Sequence, residues 1–223
     1  MPERVSLEFH CHTIFSKDSL TSPELLVRAC QRKGIDRVVV TDHNTIRGAL
    51  IAQEIDPQRV IVGEEIMTQR GELLAAFVKE EIPPGLPPME AIVRLREQGA
   101  FISVSHPFDY TRSGHWTPDD LRRIAPLVDA VEVFNARCFS AGMDERAGEF
   151  AREHDLLGTV GSDAHTAFEL GSAVQELPPF HDASTLRIAL RQARYRVSRS
   201  GWWVRLASRY AVMAKMLHIA GRE

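Results

Sequence analysis

Arg37-Val38-Val39-Val40-Thr41-Asp42-His43-Asn44 is a short β-branched run that ends in an acid, an imidazole and an amide. Consecutive valines without polar alternation suit a strand buried on both faces, as in parallel sheets covered by helices. Before it, Leu25, Leu26, Ala29 and Cys30 form a helical apolar stripe. Ser22-Pro23-Glu24 opens that stripe as an N-cap, a first-turn proline and a first-turn acid, and Gly34 stops it. After it, a small helix is predicted around 46–53 and a strand at 60–62.

The same grammar repeats along the chain. Strands are predicted at 5–9, 72–78, 101–104, 130–134 and 158–160, and helices from about 89 to 98, from Thr117 onward and from about 144 to 154. A last βα unit is expected over 173–194. Alternating strands and helices point to a largely parallel sheet with crossover helices. Periodicity alone does not separate a closed barrel from an open doubly wound sheet.

The chemically capable side chains cluster just past these strands. His10 and His12 follow the first, Asp42 and His43 the second, and Glu64 and Glu65 the third. His106, then Asn135 and Cys138, then Asp163 and His165 follow later ones. The carboxyl ends of parallel strands share one side of the sheet, and in a barrel they ring one mouth. Imidazole and carboxylate are ligands for zinc, manganese and iron. His10 and His12, two apart on extended chain, point the same way, which turns Cys11 into the opposite packing layer.

Each piece has a bland reading. Thr41-Asp42-His43-Asn44 fits a polar turn, Ser105-His106-Pro107 a loop with a satisfied histidine, and one of Glu64 and Glu65 a solvated strand end. Five strand ends all carrying His, Asp or Glu outweigh those readings taken singly. His154 and His218 fall outside the pattern and are assigned structural roles. His115 lies in a loop that could border the mouth.

Composition narrows the classes. A hydrophobic fraction of 44% and a charged fraction of 26% are those of an ordinary globular domain. The net charge of −3 provides no global basic field for non-specific nucleic-acid binding. Three cysteines, Cys11, Cys30 and Cys138, do not make a disulfide framework. No run of about 18 apolar residues predicts a membrane span, and Met1-Pro2-Glu3-Arg4 opens no signal-peptide core. The expectation is a reduced, cytoplasmic protein.

Taken in order, Phe9-His10-Cys11-His12-Thr13, Thr41-Asp42-His43-Asn44-Thr45, Gly63-Glu64-Glu65-Ile66, Ser105-His106-Pro107 and Gly161-Ser162-Asp163-Ala164-His165 resemble the PHP (polymerase and histidinol phosphatase) family of metal-dependent phosphoesterases. The resemblance implies a distorted (βα)7 TIM-like barrel over residues 1–200 with two or three divalent ions (Zn, Mn or Fe). The ligands it implies are His10, His12, Asp18, His43, Glu65, His106, Asp163 and His165. Glu65 is preferred to Glu64 because the family's Glu precedes an apolar residue, here Ile66. Near the fifth strand the family varies, so Cys138 is the expected ligand and Asn135 the fallback.

The reaction expected is hydrolysis of a phosphomonoester of a small metabolite by a metal-activated hydroxide. Asp163 or His165 would orient the nucleophile, and the loop arginines Arg112 and Arg137 are candidates to fork onto phosphate. A phosphodiesterase or exonuclease, and a metal-bound scaffold without turnover, are the alternatives. The short Asn44–Arg59 interval lacks the insertion some nucleotide-acting relatives carry, and no stable nucleic-acid partner is expected. Residues 201–223 read as an amphipathic basic helix packed on the barrel or on a second subunit in a homo-oligomer, with an anionic membrane surface the less favoured alternative.

Overall fold

The computed structural model describes residues 4–217, so His218 lies outside the described residues. Among the described residues nine strands form one sheet in the order β7-β6-β5-β4-β3-β2-β1-β8-β9. The valine run is β2 (Arg37–Val40), paired in parallel with β1 (Val5–Glu8) and β3 (Val60–Met67). β5 (Phe101–Val104), β6 (Ala130–Asn135) and β7 (Leu157–Gly161) form the other parallel set.

Past the named strands, Cys11 pairs in parallel with Ala164. His12 N donates to Ala164 O at 2.8 Å and Ala164 N to His10 O at 3.3 Å. That pairing joins the chain leaving β1 to the chain leaving β7 and nearly closes the barrel, as the motif set implied. Seven α-helices accompany the sheet among the described residues.

Both faces of the valine run are buried. Val38 and Val40 join an outer apolar layer with Leu26 and Cys30 of α1 (Pro23–Arg32) and Ala49 of α2 (Arg47–Ile55). Cys11 lies in this layer, opposite its flanking histidines as expected. Val39 joins an inner cluster with Phe9, Ile61, Leu74 and Phe101. The Phe9 and Phe101 rings meet at 5.6 Å although three strands separate β1 from β5, which only a curved sheet allows. Leu186 and Leu190 of α6 (Ala183–Leu190) close the lower end of that cluster. Arg187 fixes the helix there, bonding Ala100 O and Asp129 at the amino ends of β5 and β6.

Local signals behave as read. Ser22 Oγ accepts from Leu25 N, Thr117 Oγ1 accepts from Asp120 N, and Gly34 takes the left-handed conformation (φ 65°) that ends α1. α3 (Pro88–Glu97) and α4 (Pro118–Ile124) lie where expected, and α5 (Ala141–Glu153) begins three residues before the predicted start.

The sheet is less uniformly parallel than the alternation suggested. β4 (Glu72–Ala76) runs antiparallel to β3 and β5. Four residues separate Met67 from Glu72, far fewer than a parallel crossover needs. β8 (Ala173–Leu177) is antiparallel to β1, and an unanticipated edge strand, β9 (Arg194–Val197), follows α6.

α7 (Val204–Met216) packs on the barrel through Val204, Ala211 and Ala214. Lys215 Nζ donates to Ile14 O and Ser16 O at 2.5 Å each. Leu186→Ala, in the inner cluster, is expected to lower unfolding stability by about 2–5 kcal/mol in urea denaturation. It should leave the metal-binding capacity of the folded protein unchanged.

Candidate metal centre

The mouth is built at the carboxyl ends of the parallel strands, where buried imidazoles and carboxylates converge. Three of the imidazoles have one ring nitrogen fixed by a neighbour. His10 Nδ1 bonds Glu132 Oε1 at 2.9 Å, His12 Nδ1 bonds Ser16 Oγ at 3.0 Å, and His165 Nδ1 bonds Asp163 O at 2.8 Å. Ser16 Oγ in turn donates to Asp42 Oδ1 at 2.7 Å, so His12 Nδ1 carries the proton that Ser16 accepts. In each ring Nε2 is left facing the centre, the outer-shell arrangement of metal-binding histidines.

The Nε2 atoms of His10 and His12 lie 3.1 Å apart. They approach Glu65 Oε2 at 3.3 and 3.4 Å and Asp163 Oδ1 at 3.6 and 3.3 Å. His43 Nδ1 lies 3.0 Å from Glu65 Oε2, and His106 Nε2 lies 3.2 Å from Glu65 Oε1. Asp18 faces His165 Nε2 at 3.1 Å and His43 Nε2 at 3.6 Å. Three overlapping sets have ligand atoms close enough for an ion: His10, His12 and Asp163; His12, His43 and His165; and His43, Glu65 and Glu72.

The donor set fits divalent cations. Glu65 Oε2, Asp163 Oδ1 and Asp18 Oδ1 are buried without a hydrogen-bond donor, despite ring nitrogens at 3.0–3.6 Å. Buried carboxylate oxygens without donors are costly unless a cation satisfies them. The electrostatics agree. Burial opposes charge on His10 and His43, yet Glu65, with Asp163 and Glu132 at His10 and Asp18 at His43, pushes both well above the usual imidazole range. Burial, together with His165 and His43, drives His12 well below it. These acids demand compensating positive charge, and shared ions would supply it.

Side chains missed in the sequence complete the arrangement. Glu72 lies 3.5 Å from His106 Nε2. It heads an antiparallel strand, so the amino end of that strand reaches the mouth beside the carboxyl ends of the parallel ones. Glu132, inside β6, accepts from His10 Nδ1, from His106 N at 2.9 Å and from Asn135 Nδ2 at 3.0 Å. A Cβ at Gly161 would fall 2.4 Å from both Glu132 Oε1 and His10 Cβ, so that motif glycine is required by close approach. Asp42 is a brace, binding Thr13 N at 2.6 Å and Thr13 Oγ1 at 2.5 Å.

Several expected residues sit elsewhere. Cys138 belongs to none of the three ligand sets, and burial pushes its thiol well above the usual range. Asn135 points its amide nitrogen at Glu132 and Asp163, as a donor rather than a ligand. Arg137 reaches the wall of the cavity over the centre, with its guanidinium paired to Glu169 at 2.6 and 2.8 Å and donating to Ser208 Oγ at 2.9 Å. Arg112 is closer to the role expected. It bonds Asp163 Oδ2 at 2.5 Å and Asp109 Oδ2 at 3.1 Å and lines the cavity over the centre.

Neither glutamate of the pair is solvated. Glu64 is buried, accepts from Ile82 N at 3.0 Å, and is raised by burial to about 8. His154 packs on Phe150 with tilted rings 4.2 Å apart, as a structural residue would. His115 bonds Arg112 O at 2.6 Å and packs on Tyr110, holding the loop beside the mouth.

The sequence model of the PHP domain matches residues 8–98, and that of the PHP-associated region matches residues 144–195. The chain belongs to the PHP family. An uncharacterised protein of Methanocaldococcus jannaschii is 38% identical over 172 residues, 76% of this chain and 69% of that one. A two-domain protein from Bacteroides vulgatus containing a predicted PHP-like metal-dependent phosphoesterase superposes with a TM-score of 0.72 at 20% identity. That match covers 88% of this chain and 65% of the other, so the chain spans less than two thirds of that protein. A lesion-specific endonuclease from Pyrococcus furiosus superposes with a TM-score of 0.59 at 13% identity, over 86% of this chain and 58% of that one. At such identities the solved structures establish the fold.

Glu132→Gln removes the charge that orients His10 while preserving shape. Metal affinity is expected to fall about 10–100-fold, measured by competition with a chelating indicator, with little change in circular dichroism.

Proposed function

We propose that this PHP-family protein hydrolyses a phosphomonoester of a small metabolite, with the mouth cluster holding two or three divalent ions. The observation carrying this reading is a cavity of about 310 Å³ over Asp18, His43 and His165. Its far wall is completed by Arg205 and Ser208 of α7. A volume of that size suits a small ligand. A wall made by a docked helix favours a compact ester over a long polymer.

His10, His12, Asp18, His43, Glu65, His106, Asp163 and His165 would hold the ions, with Glu72 as an added ligand. Zinc, manganese and iron all suit this mixture of nitrogen and oxygen donors. Divalent ions at such a centre lower the pKa of coordinated water and offset charge on the phosphoryl oxygens.

The chain's own residues do the rest. Arg112, held between Asp109 and Asp163, is positioned to meet the equatorial oxygens of the phosphoryl group. Lys17 adds a second cation to the same wall. His165, with Nδ1 fixed by Asp163 O, presents Nε2 at the cavity edge as a ligand, and so would help place an ion beside the attacking water. Asp163 shares its two oxygens, one toward Arg112 and one toward the histidines, and so couples phosphate binding to the centre.

The test is hydrolysis of p-nitrophenyl phosphate against bis-p-nitrophenyl phosphate and short oligonucleotides after reconstitution with Mn²⁺, Fe²⁺ or Zn²⁺. The monoester is expected to be preferred at least about tenfold in kcat/KM, a transition-state difference above roughly 1.4 kcal/mol. His10→Ala should abolish turnover. Preference for the diester or oligonucleotide would reverse the substrate assignment, and undiminished turnover in His10→Ala would remove the centre from the reaction.

A further inference from the structure

α7 uses one face to pack on the barrel and leaves another uncovered. Leu206, Tyr210, Met213 and Leu217 are 52, 64, 60 and 64% exposed. Their spacings of four, three and four place them on a single helical stripe. Trp202, 79% exposed, precedes the stripe by one turn. Phe139 and Phe168, in the loops after β6 and β7, flank the helix and are also exposed. Arg205 lies over the Phe139 ring, and Trp203 meets Phe168 edge-on at 5.4 Å. A contiguous apolar and aromatic patch of this kind marks an interaction surface.

Charge selects the occupant. Residues 191–217 contain six arginines and Lys215 but no aspartate or glutamate, in a chain whose net charge is −3. Among them only Arg196 and Arg199 reach a carboxylate among the described residues. Arg209 borders the apolar stripe, while Arg205, beside Phe139, also bonds Arg137 O and reaches the cavity wall. A second copy docked through this face would set cation against cation. A polynucleotide would match the charge but leave Leu206, Met213 and Leu217 without an apolar partner. An anionic lipid surface satisfies both, with headgroups for the arginines and the acyl boundary for the stripe. Exposed tryptophans suit that boundary because they have an apolar body and a polar N–H. No described helix is long and apolar enough to cross a membrane.

We propose that α7 and the flanking Phe139 and Phe168 loops form a peripheral docking surface for an anionic bilayer, with the helix lying in the interface plane. The packing on the barrel expected from sequence is kept, and the bilayer is a second contact through the opposite face. Packing on the barrel uses Val204, Ala211 and Ala214, with Ser208 and Lys215 bonded beside them, and leaves the second apolar stripe outward. The proposal is independent of which ester the centre cleaves.

The test is co-flotation of the full chain with vesicles of phosphatidylglycerol and phosphatidylcholine, compared with pure phosphatidylcholine, at low and high salt. Binding to the anionic vesicles is expected, with a blue shift of tryptophan emission and at least tenfold weaker partition in 0.5 M salt, as roughly expected from screening. Leu206→Glu combined with Met213→Glu should abolish binding, and Arg209→Glu should weaken it. Unchanged metal content and p-nitrophenyl phosphate turnover in these variants would show that they remain folded. No partition into anionic vesicles would overturn the proposal, as would binding undiminished in the double variant. So would a salt-stable dimer, or tight oligonucleotide binding, lost in the same variants without any vesicle binding.

Discussion

Glu65 Oε2 lies between His10, His12 and His43 at 3.0–3.4 Å, buried, with no hydrogen-bond donor. A shared cation would satisfy that oxygen and the three imidazoles together. Much of the upper barrel can be understood as support for this point. β3 delivers Glu65 and the pairing of His43 with Glu65 fixes the second imidazole beside it. The Cys11–Ala164 pairing that nearly closes the sheet also brings the first and last motifs together.

The supports are themselves buried and polar, so the barrel gives up apolar packing in its upper half. The inner cluster of Phe9, Val39, Leu74 and Phe101, closed below by α6, occupies the lower half. Glu132, Asp42 and Glu169 each bind two or more neighbours and hold the mouth against relaxation. Glu8 stitches β1 to the loop after β7, accepting from Ser162 N and Gly171 N, and burial raises it to about 7. Asp163 adopts a left-handed backbone (φ 52°) that costs free energy in a non-glycine residue. Its bond to Arg112 and its carbonyl's bond to His165 help hold it there.

What could be read in the sequence follows strand direction. His10, His12, His43, Glu65, His106, Asp163 and His165 all follow β-branched or apolar runs, and each lies at the mouth. Asp18, found through the family pattern, faces His43 and His165. Glu72 was hidden because its strand runs the other way, although the four-residue link to β3 held the clue. Glu132 was hidden within a strand, where one glutamate among apolar residues looks like an outward-facing position. Arg137 shows what loop position leaves open: it reaches the cavity, but with its guanidinium already paired. Loop position alone cannot distinguish an arginine offered to substrate from one paired with Glu169 and Ser208 at the cavity wall.

The central claim is that these side chains gather around shared ions, and anomalous diffraction tests it most directly. Crystals of the full chain reconstituted with Mn²⁺ or Zn²⁺ should give anomalous peaks bounded by His10 Nε2, His12 Nε2, Glu65 Oε2 and Asp163 Oδ1, with at least one more among His43, His106, Glu72, Asp18 and His165. A well-ordered crystal with no anomalous density within bonding distance of Glu65 would contradict the account.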